Sequence, residues 1–296
     1  ALTGELDERS SRPERLLMRG AGRCSRALVA SALSQRRGAP LLVVVPTLEE
    51  AGRWTALLEL MGWSQASLYP TSEGSPYEPF DPTSEITWGQ LQVLSDLLGE
   101  PNAASWAIVA TERCLQPHLP PPDVLKTKTR TLRKGDEVDL EALGETLAQL
   151  GYERVTTIEQ EGSWSRRGDI VDIFPVSSEL PVRLEFFGEE LDKLREFDPA
   201  SQRSLDPVDA LRLTPTGFGP LIADQLRETM PDGLEQLLGS EGTEQLLNGG
   251  TPEGMRRLMG LAWGQPASLL DYLPDTTTVV IDERRQGLAH GQQWLS

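Results

Sequence analysis

Along "RCSRALVASALSQRR", residues 23–37, apolar side chains recur at helical spacing, and Gly38-Ala39-Pro40 closes the segment. "LLVVVPT", residues 41–47, is an unbroken β-branched run of the kind that forms a strand covered on both faces. "LEEAGRWTALLELMG" behind it returns to the amphipathic helical period and stops at Gly62. A Pro- and Ser-rich stretch from Tyr69 to Ser84 follows, then a helix over "ITWGQLQVLSDLLG" and a strand over "SWAIVAT". This alternation of helix and strand predicts an open, mostly parallel α/β sheet for residues 1 to about 120.

"HLPPPDVLKTKTRTL" breaks the rhythm with a proline run and then basic residues. Beyond it, "DLEALGETLAQLG" sets Leu140, Leu143, Leu147 and Leu150 on one helical face. Three strand candidates come next: "RVTTIEQ", "GDIVDIFPV" and "PVRLEFFG". From Pro215 to about Gly264 the pattern is helical and punctuated by Gly and Pro, and "TTTVVIDE" reads as a buried strand of the first type. The expectation is an α/β domain into which a small α+β domain is inserted, divided as 1–125, 126–205 and 206–296.

Composition narrows the function. Acidic residues outnumber basic ones 45 to 28, for a formal net charge of −17. Sequence-independent binding of nucleic acid needs clustered Lys and Arg, so a protein partner is the better expectation. The two cysteines, Cys24 and Cys114, lie far apart with only His118 and His290 to assist, which argues against a disulfide framework or a zinc site; no cofactor or metal is expected. No run of about 18 apolar residues and no signal-peptide core occur, so a cytoplasmic protein without membrane contact is expected.

Three segments could carry chemistry. In "RGAGRCSRALVAS", residues 19–31, a P-loop register starting at Gly20 puts Ser25 at the second glycine, Arg26 at the lysine and Ala27 at the magnesium-binding hydroxyl. The competing reading is an ordinary glycine turn between strand and helix. In "VVIDERR", Asp282 and Glu283 end a strand, where an acidic pair can hold magnesium or merely face solvent. A phosphate cradle with Arg for Lys and no hydroxyl predicts no ATP hydrolysis. Anion binding at the helix start stays open.

In "PVRLEFF" the period of two sends Val182, Leu184 and Phe186 to one face and Arg183, Glu185 and Phe187 to the other. "SWSRRGDIVDIFP" brings Arg166 and Arg167 to the start of a neighbouring strand. An exposed Phe beside arginines has the chemistry of an interface anchor. Alternatively Phe187 packs beneath a loop while Arg183 pairs with Glu185 or Asp192.

The segment "RRGDIVDIFPVSSELPVRLEFFGEELDKLREFDPASQRSL", residues 166–205, resembles the transcription-repair coupling factor family, Mfd, in a domain shared with the excision-repair protein UvrB. "GDEVDLEALGETLAQLGYERV" and "SLLDYLPDTTTVVIDE" resemble the same family in the same order. The resemblance implies a degenerate helicase-like, P-loop-type α/β domain with an inserted domain that docks on UvrA by imitating UvrB. Its motif positions fall on Arg167, Arg183 and Phe187. Arg26 in place of the lysine, Arg284-Arg285 after the acidic pair, and only the short stretch 69–84 where UvrB has a long hairpin favour Mfd. They disfavour the alternative, a UvrB-type ATP-dependent subunit that binds damaged DNA. The chain is accordingly expected to be a non-catalytic N-terminal piece of an ATP-dependent DNA translocase. Its partners would be UvrA and other Mfd domains, with RNA polymerase and DNA reached through regions outside it.

Overall fold

The computed structural model describes residues 16–71, 82–99 and 106–295, so most of the stretch 69–84 compared with the UvrB hairpin lies outside the described residues. Helix α1 (Arg23–Arg37) starts at Gly22 and ends at Gly38, whose φ of +60° is a left-handed conformation that favours glycine. Strand β1 (Leu41–Val45) is fully buried, and helix α2 (Leu48–Leu60) follows with the Thr47 side chain accepting the Glu50 N–H. Strand β2 (Gln65–Leu68), helix α3 (Ser84–Gly99) and strand β3 (Trp106–Thr111) complete the first run.

The chain then forms helix α4 (Pro122–Thr127), strand β4 (Arg130–Arg133) and helix α5 (Leu140–Gln149). Seven strands follow: β5 (Glu153–Arg154), β6 (Ser163–Arg167), β7 (Ile170–Phe174), β8 (Val182–Phe187), β9 (Glu190–Phe197), β10 (Ser204–Pro207) and β11 (Ala210–Leu213). Helices α6 (Phe218–Thr229), α7 (Leu234–Leu247) and α8 (Met259–Ala262) precede strand β12 (Thr278–Ile281) and helix α9 (Arg284–Leu295).

The first sheet has the order β12-β1-β3-β2, every pairing parallel. Its side-chain alternation separates two cores. Leu41, Val43, Val45, Ala107 and Val109 pack with Ala27, Ala30 and Trp54 on the α1/α2 side. Leu42, Val44, Ile108 and Ala110 pack on the opposite side against α3 and α6–α8. Burial on both faces is what the uninterrupted run at 41–45 demands.

The second sheet has the order β10-β9-β8-β7-β6-β5, antiparallel except for β5–β6. Its inner face carries Trp164, Val171, Ile173, Val182, Leu184 and Phe186, which enclose a core with Leu143 and Leu147 of α5. Leu132, Leu211 and Leu213 from the β4–β11 pair belong to that core as well. The molecule is therefore a mixed α/β structure, with one parallel sheet and a separate, mainly antiparallel one.

Three expectations change. "TTTVVIDE" forms β12, but as an edge strand, so Val279 and Ile281 are exposed rather than buried. "RVTTIEQ" contributes only Arg154 to a strand, because the chain leaves the sheet and drives Ile158 into a small outer cluster with Phe174 and Phe197. Arg166 and Arg167 end β6 instead of starting the next strand, and Gly168 at φ +63° makes the turn into β7.

Candidate functional site

The outer face of the second sheet is read directly from its register. Asp172 on β7 stands opposite Ser165 on β6 and Arg183 on β8, and Arg183 in turn stands opposite Arg195 on β9. One step along, Ile170 lies between Arg167 and Glu185. Phe187 closes β8 opposite Glu190, just beyond a bulge between Glu185 and Phe186. That bulge adds a residue on β9 before the hairpin turn at Gly188.

These positions differ sharply in exposure. Phe187 is 83% exposed, an unusual place for a phenyl ring, and Ile170 beside Arg167 is partly uncovered too. The Arg183 side chain is only 16% exposed, so alternation alone misjudged it: a partner beneath draws it down. That partner is neither Glu185 nor Asp192. It is Asp172, 1% exposed, whose Oδ1 accepts Arg183 Nε at 2.7 Å and whose Oδ2 accepts Arg183 Nη2 at 2.9 Å. Arg167 Nη2 donates to the same Oδ2 at 3.0 Å while its side chain stays 60% exposed. Arg183 also lies over the Phe197 ring, 4.8 Å from its centroid. The bond to Asp172 is the leading cause that raises the Arg183 pKa. Two arginines thus share one carboxylate, and further along the same face Glu185 separates Arg183 from the exposed Phe187, which stands opposite Glu190.

The first sheet presents a second ionic cluster. The Asp282 N–H donates to Val44 O at 2.8 Å, continuing the β12–β1 ladder and holding Asp282 at the C-terminal end of the sheet. Arg26, in the second turn of α1, reaches Asp282 Oδ1 at 2.6 Å and Glu283 Oε1 at 2.7 Å. Trp54 Nε1 donates to the other Asp282 oxygen at 2.8 Å, and Asp282 is 5% exposed. Glu283 adopts φ +43°, a left-handed backbone that is uncommon outside glycine. Leu16 to Arg19, ahead of Gly20, form no strand, so the turn into α1 is not a strand-to-helix turn. Gly20 itself has φ +71°. Ser25 is exposed, and Ala27 is fully buried in the α1/α2 core. The magnesium-hydroxyl position of the P-loop register is therefore a methyl group in a packed interior.

Elsewhere, Cys24 is an exposed thiol, and burial pushes the Cys114 thiol up to about 12. Among the described residues no group of three His, Cys, Asp or Glu side chains could hold a metal ion. No helix among them is long and apolar enough to cross a membrane. A pocket of about 280 Å³ opens at the start of α6, lined by Trp88, Gly217, Phe218 and Arg256, and it includes neither cluster.

The family model of the UvrB interaction domain matches residues 131–217, the stretch that builds β4, α5 and the whole second sheet. The chain is 28% identical over 286 residues to the transcription-repair-coupling factor of Bacillus subtilis, covering 90% of this chain and 24% of that protein. It is 29% identical over 272 residues to the Escherichia coli protein of the same name, covering 90% and 23%. The Mycobacterium tuberculosis protein is 32% identical over 275 residues, covering 87% and 22%. The chain carries the UvrB-homology module of the transcription-repair-coupling factor family.

The module spans about a quarter of the length of these relatives. Arg167, Arg183 and Phe187 fall within the matched residues 131–217, Arg167 on β6 and the other two on β8, with β7 between them, on one face of the second sheet. Gly20, Ser25, Arg26, Ala27, Asp282 and Glu283 fall outside it, and Arg26 meets Asp282 and Glu283 directly. Sequence reasoning missed Asp172, Arg195 and Phe197. Asp172 was legible in principle, since "IVDIF" sets one carboxylate between apolar inner-face residues in a central strand. Such a residue needs cationic partners to be buried at all.

Proposed function

We propose that this chain is a recruitment module of transcription-coupled nucleotide excision repair that docks on UvrA through the outer face of its second sheet and performs no catalysis itself. The observation that carries this reading is an 83%-exposed Phe187 on the same sheet face as two arginines anchored to one buried carboxylate. On this reading Arg167 pairs with acidic groups of UvrA, Phe187 enters an apolar pocket, and Arg183 supports the surface as well as touching the partner. The UvrB-homology match and the names of the relatives support the repair assignment.

The first sheet is read as a degenerate helicase-like, P-loop-type fold, and the second as an insertion in it. The chain leaves after β3 and rejoins β1 through β12. The inserted unit is drawn from about residue 126 to just past Leu213, rather than to 205, because its core includes Leu211 and Leu213. The UvrB-type ATP-dependent reading finds no support at Arg26, whose guanidinium is taken up by the acidic pair that magnesium would need. Arg183→Glu tests the docking proposal. It puts a third carboxyl group beside Asp172 and Glu185, and UvrA affinity is expected to fall steeply at low salt. Unchanged affinity would mean that this face is not the docking surface.

A further inference from the structure

We infer that Asp172 is a positioning residue of the docking face: it touches no partner, yet it holds both arginines in the geometry that a partner meets. This rests on the docking reading above and adds to it the device that orders the surface.

Three adjacent strands each supply one member of the cluster: Arg167 from β6, Asp172 from β7 and Arg183 from β8. A carboxylate offers about four acceptor positions, and here three guanidinium donors occupy the two oxygens within 3.0 Å. Arg183 is held twice more, by stacking on Phe197 and by a 3.5 Å contact from Nη1 to the Gln202 carbonyl. Gln202 is itself tied by its side-chain amide to the Ile158 and Pro199 carbonyls.

Without the carboxylate this arrangement would oppose itself. Arg183 stands directly across from exposed Arg195, and like charges at that position of a ladder repel. Asp172 offsets that repulsion from the other side of β8. Flexible arginines that must be ordered at the moment of binding weaken association, whereas a rigid fork presented in advance does not. The Asp172 carboxylate is buried and out of a partner's reach, so its effect on binding must pass through Arg167 and Arg183.

The test is calorimetric titration of UvrA with wild-type chain, Asp172→Asn, Arg183→Ala, the Asp172→Asn/Arg183→Ala pair and Phe187→Ala. Asp172→Asn is expected to lower affinity about ten-fold. In the Arg183→Ala background the same change should cost no more than about three-fold, because residues acting through one another are not additive. A full ten-fold loss in that background, or wild-type affinity for Asp172→Asn, overturns the inference. If Asp172→Asn does not fold, Arg183→Lys takes its place. It keeps the charge but not the fork, so a similar loss is expected, and wild-type affinity overturns the inference. Weakening by Phe187→Ala together with an unaffected Asp172→Asn leaves the docking face standing and removes only the role of Asp172. No binding by the wild-type chain removes both.

Discussion

The two sheets each bury one aspartate against arginine, and they do it with opposite charge balance. At the end of β12, one cation, Arg26, serves two carboxylates, Asp282 and Glu283, and Trp54 takes a remaining lone pair. On the second sheet, two cations, Arg167 and Arg183, share the one carboxylate of Asp172. In the first cluster the carboxylates outnumber the arginine that binds them. In the second the arginines outnumber the carboxylate they share, and Phe187 projects from the same sheet face. The same pair chemistry thus occurs in two ratios, and on the docking proposal it is the second that leaves a paired cation, Arg167, exposed to a partner.

The comparison can be broken at either end. The largest expected stability effect is at the first cluster. Arg26→Ala leaves Asp282 buried with only the indole N–H, and is expected to cost about 3 kcal/mol, read as a lowered urea midpoint with the slope unchanged. A change under about 0.5 kcal/mol would mean that the cluster is not a stabilising contact. On the second sheet, Phe187→Ala should separate binding from folding. Loss of an interface anchor typically costs about 2 kcal/mol of affinity. Stability should move by less than about 0.5 kcal/mol, because the ring covers no core. Parallel losses in both would show that Phe187 is structural.

A smaller effect sets the background for any work in acid. Burial, with the positive charge of Arg256, pushes the half-buried His118 down to about 4 from 6.5. The folded state therefore favours neutral imidazole. That contribution is complete above about pH 6.5 and is lost as pH falls from 6.5 towards 4, where the unfolded chain binds the proton first. Thermal midpoints should decline across that window, and His118→Gln should remove that part of the slope. An unchanged slope would assign the acid sensitivity to other groups.

Much of the first sheet was legible from periodicity. The run at 41–47 and the helix at 23–37 have patterns that local physics nearly dictates: the helix occurs as read, and the run forms a strand over Leu41–Val45. β2, "QASL", carries no strand signal, since a parallel edge strand draws its order from the neighbour it pairs with. β12 was recognised by its β-branched run, but edge and central strands have the same composition, and only topology shows which one water reaches. On the second sheet, alternation in "PVRLEFF" separated inner from outer positions correctly and assigned Phe187 to the open face. It missed Arg183 because exposure of a long side chain depends on what stands across the ladder. Asp172 is eleven residues away in sequence and directly opposite in space. The Arg26–Asp282 contact spans the two ends of the chain, and no local pattern carries it.

The most direct test of the account is calorimetric titration of purified UvrA with this chain, beside the Arg183→Ala/Phe187→Ala double variant checked for folding by its thermal midpoint. The account predicts saturable binding by the wild type and, with two anchors each contributing about 2 kcal/mol, a loss approaching roughly a thousand-fold in the folded variant. Equal affinity of the two chains for UvrA would contradict it.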